Sequence, residues 1–334
     1  MTADHHADAA RVTDGADTGT AAAVTAAVTV RVPAKVNVQL AVGGRRADGF
    51  HALATVFFAV GLFDEVTARP GEPGEGVTIT VEGPDAAVVP TDGTNLAARA
   101  AQALAAHHGV PADVRLHIAK DIPVAGGMAG GSADGAAALL ACDALWGLST
   151  PRETLFALAA ELGSDVPFSL HGGVALGEGR GEQLTPVPTQ GAFHWVFAVA
   201  DGGLSTPAVY GECDRLREQA GGPGGADESH VPTPAADRAL LDALATGDPA
   251  ALGAALTNDL QAAALSLRPS LADTLRAGTD AGAIGALVSG SGPTCAFLTK
   301  DASDAAAVAN ALAASGTCRN VRTAVGPVAG ASLA

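Results

Sequence analysis

An α+β fold in two units is what this sequence predicts. β-branched runs crowd the first eighty residues, helical periodicity dominates the second half, and the two kinds of element do not alternate regularly. A length of 334 residues suits two such units.

The strand signals come first: "VTVRV" (28–32), "KVNVQLAV" (35–42), "ALATVFFAV" (52–60), "DEVTAR" (64–69) and "GVTITVE" (76–82), separated by Gly, Pro and Asp turns. Asn95 opens a helix to about His108, with Leu96, Ala100 and Leu104 on one face. "VRLHIAK" (114–120) is a strand, and Ser132 to Trp146 reads as one helix. Thr150-Pro151 starts another helix, and Gly163 follows its end. "HGGVALGEGRGE" (171–182) reads as a glycine-punctuated strand and turn, and "HWVFAVA" (194–200) as a buried strand. A helix from about Pro207 to Arg217 leads into a mobile loop over 218–236. Helices at about 236–246, 249–265 and 269–281 precede "GALVSGSGPTCAFLT" (285–299), a strand, glycine turn and strand. A helix (302–314) and a strand (319–325) close the fold. The expected units are 28–180 and 181–326, after a disordered acidic tail over 1–27.

Composition narrows the function classes. A net charge of −16 argues against nucleic acid, whose binding rests on a basic face. It also means that a phosphate ligand must be captured by local groups and accompanied by a cation. No run of about 18 apolar residues is present, so no membrane span is expected. The acidic N-terminus lacks the pattern of a secretory signal. Four scattered cysteines fit neither a zinc site nor a disulfide framework, which makes a reduced, cytoplasmic setting the expectation. Only three of 19 basic residues are lysines. Lys35 lies in a strand, whereas Lys120 and Lys300 each precede an aspartate and read as exposed loop residues.

The stretch "DIPVAGGMAGGSADGAAALLA" (121–141) is the most informative. Glycines permit positive φ and close backbone approach, and the helix that follows offers unpaired N–H groups to an anion. The loop reads as a phosphate cradle; a tight turn with close helix packing is the alternative. It is not a Walker loop, because no lysine precedes Ser132, and its glycine spacing does not fit a dinucleotide fingerprint.

Four stretches line up in order: "PAKVN" (33–37), "PVAGGMAGGSA" (123–133), "GSDVPF" (163–168) and "SGSGPTCAF" (289–297). Together they resemble the GHMP superfamily of small-molecule kinases: galactokinase, homoserine kinase, mevalonate kinase and phosphomevalonate kinase. The resemblance runs from about residue 30 to 325. Within it, "PAKVN" joined to "RRADGFHAL" (45–53) and "SDVPF" is similar to the branch acting on a cytidine-diphosphate-linked branched polyol.

The resemblance implies a two-domain fold, an N-terminal domain like ribosomal S5 domain 2 and a ferredoxin-like C-terminal α/β domain. It implies transfer of the ATP γ-phosphoryl group to a hydroxyl, which calls for positioning and preorganised charge. Asp165 matches the family's base and Lys35 the lysine beside it; the alternatives are a helix N-cap and an ordinary strand lysine. Pro123, Val124, Ala125, Gly126, Gly127, Met128, Ala129, Gly130, Gly131 and Ser132 would wrap the ATP phosphates. Ala125 and Ala129 stand where glycine is common, so binding is expected to survive if their φ angles are negative. Ala133 replaces a second serine and leaves the hydroxyl role to Ser132. Asn95 matches a position near the ATP ribose and base, with a plain N-cap as alternative.

On the substrate side, His51 matches a histidine against the cytosine edge, and Tyr210, the only tyrosine, an aromatic that stacks on cytosine. Either could instead be a core residue. Phe50 stands where tyrosine is frequent, which removes a hydroxyl contact. Asn37 shares a strand face with Lys35 and is a candidate to hold the polyol or orient Asp165. Gly290, Ser291 and Gly292 would line the floor of the site; their alternative is a tight turn. Magnesium would arrive with ATP, since the sequence shows no carboxylate cage of its own. The expected partners are the two small molecules, in a monomer or homodimer.

Overall fold

The computed structural model describes residues 27–221 and 233–334. Nearly all of the tail expected over 1–27, and the centre of the loop expected over 218–236, lie outside those residues.

Four strands predicted at the start are two. β1 (Val28–Arg45) and β2 (His51–Pro70) form one long antiparallel hairpin. Pro33 and Gly61 look like breaks in the sequence but meet across the ladder. Pro33 pairs with Phe63 and Ala34 with Val60, so Gly61 and Leu62 bulge out of β2. A bulge absorbs a proline, which has no N–H to give to a ladder.

The chain then runs through β3 (Val77–Glu82), α1 (Leu96–His108), β4 (Val114–Ala119), α2 (Gly130–Trp146), α3 (Arg152–Leu162), α4 (Val166–His171), β5 (Val174–Glu178) and β6 (Gln183–Pro186). It continues through β7 (Phe193–Val199), α5 (Thr206–Gln219), α6 (Arg238–Thr246), α7 (Pro249–Ala255), β8 (Thr257–Asn258), α8 (Gln261–Leu267) and α9 (Ser270–Asp280). It ends with β9 (Gly285–Val288), β10 (Cys295–Thr299), α10 (Ala302–Ser315), β11 (Asn320–Gly326) and β12 (Ser332–Leu333). The helix predicted over 249–265 is broken by β8, which pairs with β1. Asn258 holds the break: its amide donates to the carbonyls of Val288 (2.7 Å) and Gly290 (2.8 Å), and its side-chain oxygen accepts from Leu260 N (2.9 Å).

Two sheets result. The first has the order β12-β1-β2-β4-β3, with β5 and β6 attached beside β2 and β8 beside β1; the second has the order β11-β7-β10-β9. The chain beyond residue 180 therefore returns to the first sheet at β6, β8 and β12.

Strict alternation in β1 sends Val30, Val32, Ala34, Val36 and Val38 into a core with α1 and α2. Those helices supply alanines at 97, 100, 101, 133, 136, 137 and 141, all fully buried, which lets backbones approach closely. A register shift between Asn37 and Gln39 hands the strand over, and Leu40 and Val42 join the core of the second sheet. The opposite face of β1 carries Lys35, Asn37 and Gln39, all buried. Buried polar side chains need partners, so this face marks the boundary where the site lies. All four cysteines are unpaired.

Candidate active site

A cavity of about 780 Å³ opens between the two sheets. Its walls include Lys35, the loop from Ala125 to Ser132, Asp165, the Gly290–Gly292 turn, His51 and Tyr210.

The glycine loop runs from β4 into α2. At Gly127 the backbone is left-handed (φ +75°), and a Cβ would lie 2.1 Å from the Ser289 carbonyl oxygen, so only glycine fits. Two anchors hold that residue: the Ser289 hydroxyl and the Lys35 ammonium both donate to its carbonyl at 3.1 Å. Behind the loop, the fully buried Thr294 hydroxyl has no partner, and a Cβ on Gly126 would meet it at 2.7 Å. One condition is overturned here. Ala125 (φ 54°) and Ala129 (φ 61°) are left-handed, not negative in φ. Ala129 is the N-cap of α2, where the chain must turn before entering the helix. Each alanine keeps its N–H donor at a strain of about 1–2 kcal/mol.

Lys35 and Asp165 come together although they stand 130 positions apart. The ammonium lies 3.5 Å from the Asp165 carboxylate, with the lysine side chain 6% and the aspartate 32% exposed. Asp165 stands at the N-cap position of α4 but makes no capping hydrogen bond, which leaves its carboxylate to the cavity. Asn37 accepts from Lys35 Nζ at 2.6 Å and donates to the Thr55 hydroxyl at 2.8 Å, which in turn donates to the Gln39 carbonyl. The Asn37 side chain is thus engaged in orienting the lysine. One N–H and one oxygen lone pair of that amide remain unused, and Asn37 lines the cavity, so a polyol contact does not require those bonds to break.

At the other end, the His51 and Tyr210 rings lie 5.0 Å apart with planes inclined by 31°. His51 Nε2 sits 2.9 Å from Asp214 on α5. Burial, with the Asp165 charge as a second cause, pushes the Tyr210 phenol above its ordinary range, so it remains a protonated donor. Phe50 is half exposed at the rim, and the Arg180 guanidinium lies over its ring at 5.1 Å.

Some expected residues stand elsewhere. The Asn95 side chain accepts from Ala97 N (2.8 Å) and donates to the Pro90 carbonyl (2.7 Å), so it is the plain N-cap of α1; its neighbour Leu96 lines the cavity instead. Met128 is fully buried in the core, and Pro123 and Val124 are absent from the cavity wall. Lys120, expected in an exposed loop, is buried between Asp64 and Asp134. Lys300 is exposed, as expected.

The cavity also holds residues the sequence did not single out: Arg45, Arg180 and Asp214. With Lys35, the two arginines are the local cations that a strongly acidic chain needs around an anionic ligand. Arg180, isolated between glycines in "GEGRGE", carried a readable signal. Asp214, four residues after Tyr210 on the same helical face, carried another.

Comparison with known proteins agrees with this geometry. The model of the GHMP kinases N terminal domain matches residues 95–173, and that of the GHMP kinases C terminal domain matches 240–318. The two-sheet α+β architecture is that of a GHMP kinase. The 4-diphosphocytidyl-2-C-methyl-D-erythritol kinase of Streptomyces avermitilis is 68% identical over 306 residues, 92% of this chain and 99% of that one. Its Streptomyces coelicolor counterpart is 66% identical over the same shares. A crystal structure of 4-(cytidine 5'-diphospho)-2C-methyl-D-erythritol kinase superposes with a TM-score of 0.68 at 32% identity, covering 89% of this chain and 98% of that one. The chain belongs to the 4-diphosphocytidyl-2-C-methyl-D-erythritol kinase family. Among the described residues, no helix is long and apolar enough to cross a membrane.

Proposed function

We propose that the chain transfers the γ-phosphoryl group of ATP to the 2-hydroxyl of 4-diphosphocytidyl-2-C-methyl-D-erythritol, a step of the non-mevalonate (methylerythritol phosphate) route to isoprenoid precursors. The observation that carries this reading is the 3.5 Å Lys35–Asp165 couple, facing a left-handed glycine loop at a helix start.

The loop amides from Ala125 to Ser132 and the α2 N-terminus hold the triphosphate, with the Ser132 hydroxyl as a further donor. The acceptor hydroxyl lies beside Asp165, whose carboxylate takes its proton as the oxygen attacks the γ-phosphorus. The bond to the β-phosphate oxygen breaks, and ADP leaves. Lys35, fixed by Asn37 and the Gly127 carbonyl, stabilises charge spreading over the transferring oxygens. A magnesium ion held through the nucleotide phosphates would supply the charge that neutralises them. The cradle suits that arrangement, because the loop supplies N–H donors and one hydroxyl while the nucleotide's phosphates and water supply the remaining oxygens. Gly290, Ser291 and Gly292 form the floor. His51 and Tyr210 receive the cytosine, one at its edge and one on its face, with Phe50 at the rim.

The test is a phosphotransfer assay with ATP, magnesium and a panel of alcohols: homoserine, mevalonate and the cytidylated methylerythritol. Only the last is expected to accept phosphate. Transfer to another member of the panel, or to none, would overturn the reading.

A further inference from the structure

Asp214 lines the cavity and faces His51 at hydrogen-bond distance. It lies one helical turn beyond Tyr210 on α5, so both side chains face the same way. Its carboxylate stands 2.9 Å from His51 Nε2, with the histidine side chain 8% and the aspartate 21% exposed. An ionised carboxylate accepts hydrogen bonds and cannot donate. Nε2 therefore carries the proton, and in a neutral imidazole Nδ1 is left with a lone pair. Among the described residues Nδ1 has no protein partner, and it is not sealed from solvent. The ring lines the cavity beside Tyr210.

We infer that Asp214 is a positioning residue that makes this site select cytosine over uracil, by holding His51 with a bare Nδ1 toward the base. The inference rests on the reading of the cavity proposed above. Cytosine carries an exocyclic amine, a donor, at the position where uracil carries a carbonyl, an acceptor. A bare Nδ1 accepts from that amine. Against uracil it sets lone pair against lone pair, and two polar groups are buried without partners. A difference of this kind is worth about tenfold to a hundredfold in affinity. Without Asp214 the imidazole is indifferent, because its two tautomers differ only in which nitrogen donates.

The test compares CDP and UDP as probes, by calorimetry at pH 8, on the unsubstituted protein and on Asp214→Asn. The amide both donates and accepts, so it tolerates either tautomer. The unsubstituted protein should prefer CDP, and the preference should shrink about tenfold in the variant. The KM for ATP, the melting temperature and kcat at saturating cytidylated substrate should stay within about twofold. Long-range ¹H–¹⁵N NMR of histidine-labelled protein, with the His51 signals identified through His51→Gln, should show Nε2 protonated and Nδ1 bare. A CDP-to-UDP ratio unchanged by the substitution, or a protonated Nδ1 in the parent, would overturn the inference while the phosphotransfer assay still stood. A parent that binds neither nucleotide and phosphorylates no cytidylated polyol would overturn the proposed function, and this inference with it.

Discussion

Lys35 and Lys120 flank the same glycine loop, and both are buried, at 5% and 4% exposure. Their surroundings differ in kind. Lys35 meets one carboxylate across a gap of 3.5 Å, and that carboxylate is a third exposed to the cavity. Lys120 is closed in by two carboxylates, Asp64 and Asp134, that are nearly or wholly out of reach of water. Asp64 also accepts from the amides of Asp121 (2.6 Å) and Ile122 (2.9 Å), so the cluster ties β2, the start of the loop and α2 together. One couple is left partly open to a reacting group. The other is closed and fastens the strand end from which the loop departs.

Substitutions should separate the two. Asp165→Asn is expected to lower turnover by roughly 10²–10⁴-fold, the loss typical of a missing general base. The melting temperature should stay close to that of the parent, since the carboxylate caps no helix. Steady-state kinetics beside a thermal melt checks both; a small kinetic loss with a large fall in melting temperature would make Asp165 a structural residue. Lys120→Met should do the reverse. Removing one partner of a buried ion cluster costs about 3–5 kcal/mol, because the carboxylates left behind lack compensation. Denaturant unfolding at pH 8 reads that loss. Adding Asp64→Asn and Asp134→Asn to the lysine change should recover most of it, as the site is then neutral throughout.

The Asp134 carboxyl lends the closed cluster a pH signature. Burial pushes it up to about 7, against the pull of Lys120 in the other direction. Between about pH 4 and pH 7 the folded protein then keeps a proton that the unfolded chain has released. Stability contributed by this group therefore falls as pH rises through that window and is level above it. Asp134→Asn should remove this part of the slope, measured as the difference in unfolding free energy between pH 4.5 and pH 7.5. An unchanged difference would mean that the carboxyl is ionised across the whole range.

The same contrast explains what could be read from the sequence. Lys35, Asp165, His51 and Tyr210 stand in short contiguous stretches that carry the family resemblance, which implied their roles, and all four line the cavity. The partners of Lys120 are 56 and 14 positions away, and nothing local distinguishes a sealed lysine from a solvated one. Asn95 matched two roles, and its side chain makes the local N-cap bond. Pro33 and Gly61 each look like a turn alone, whereas opposite one another they form a bulge. Local signals were legible; those completed by a distant segment were not.

The smallest effect lies in the loop between the two lysines. Ala129 is held at φ 61° by the turn into α2, where an L-residue with a Cβ is strained by about 1–2 kcal/mol. Ala129→Gly removes that strain but loosens the unfolded chain by about 0.4–1 kcal/mol. The net expectation is a gain of roughly 0.5–1 kcal/mol, read as a small rise in the unfolding midpoint with unchanged denaturant slope. Because Lys35 grips the loop at Gly127 and Lys120 fastens its entry, the alanine is not needed to keep its shape. The KM for ATP should therefore stay within about twofold of the parent value. A glycine that stabilises the protein yet weakens ATP severalfold would show that the methyl group itself restrains the cradle, and that the two lysines do not suffice to hold it.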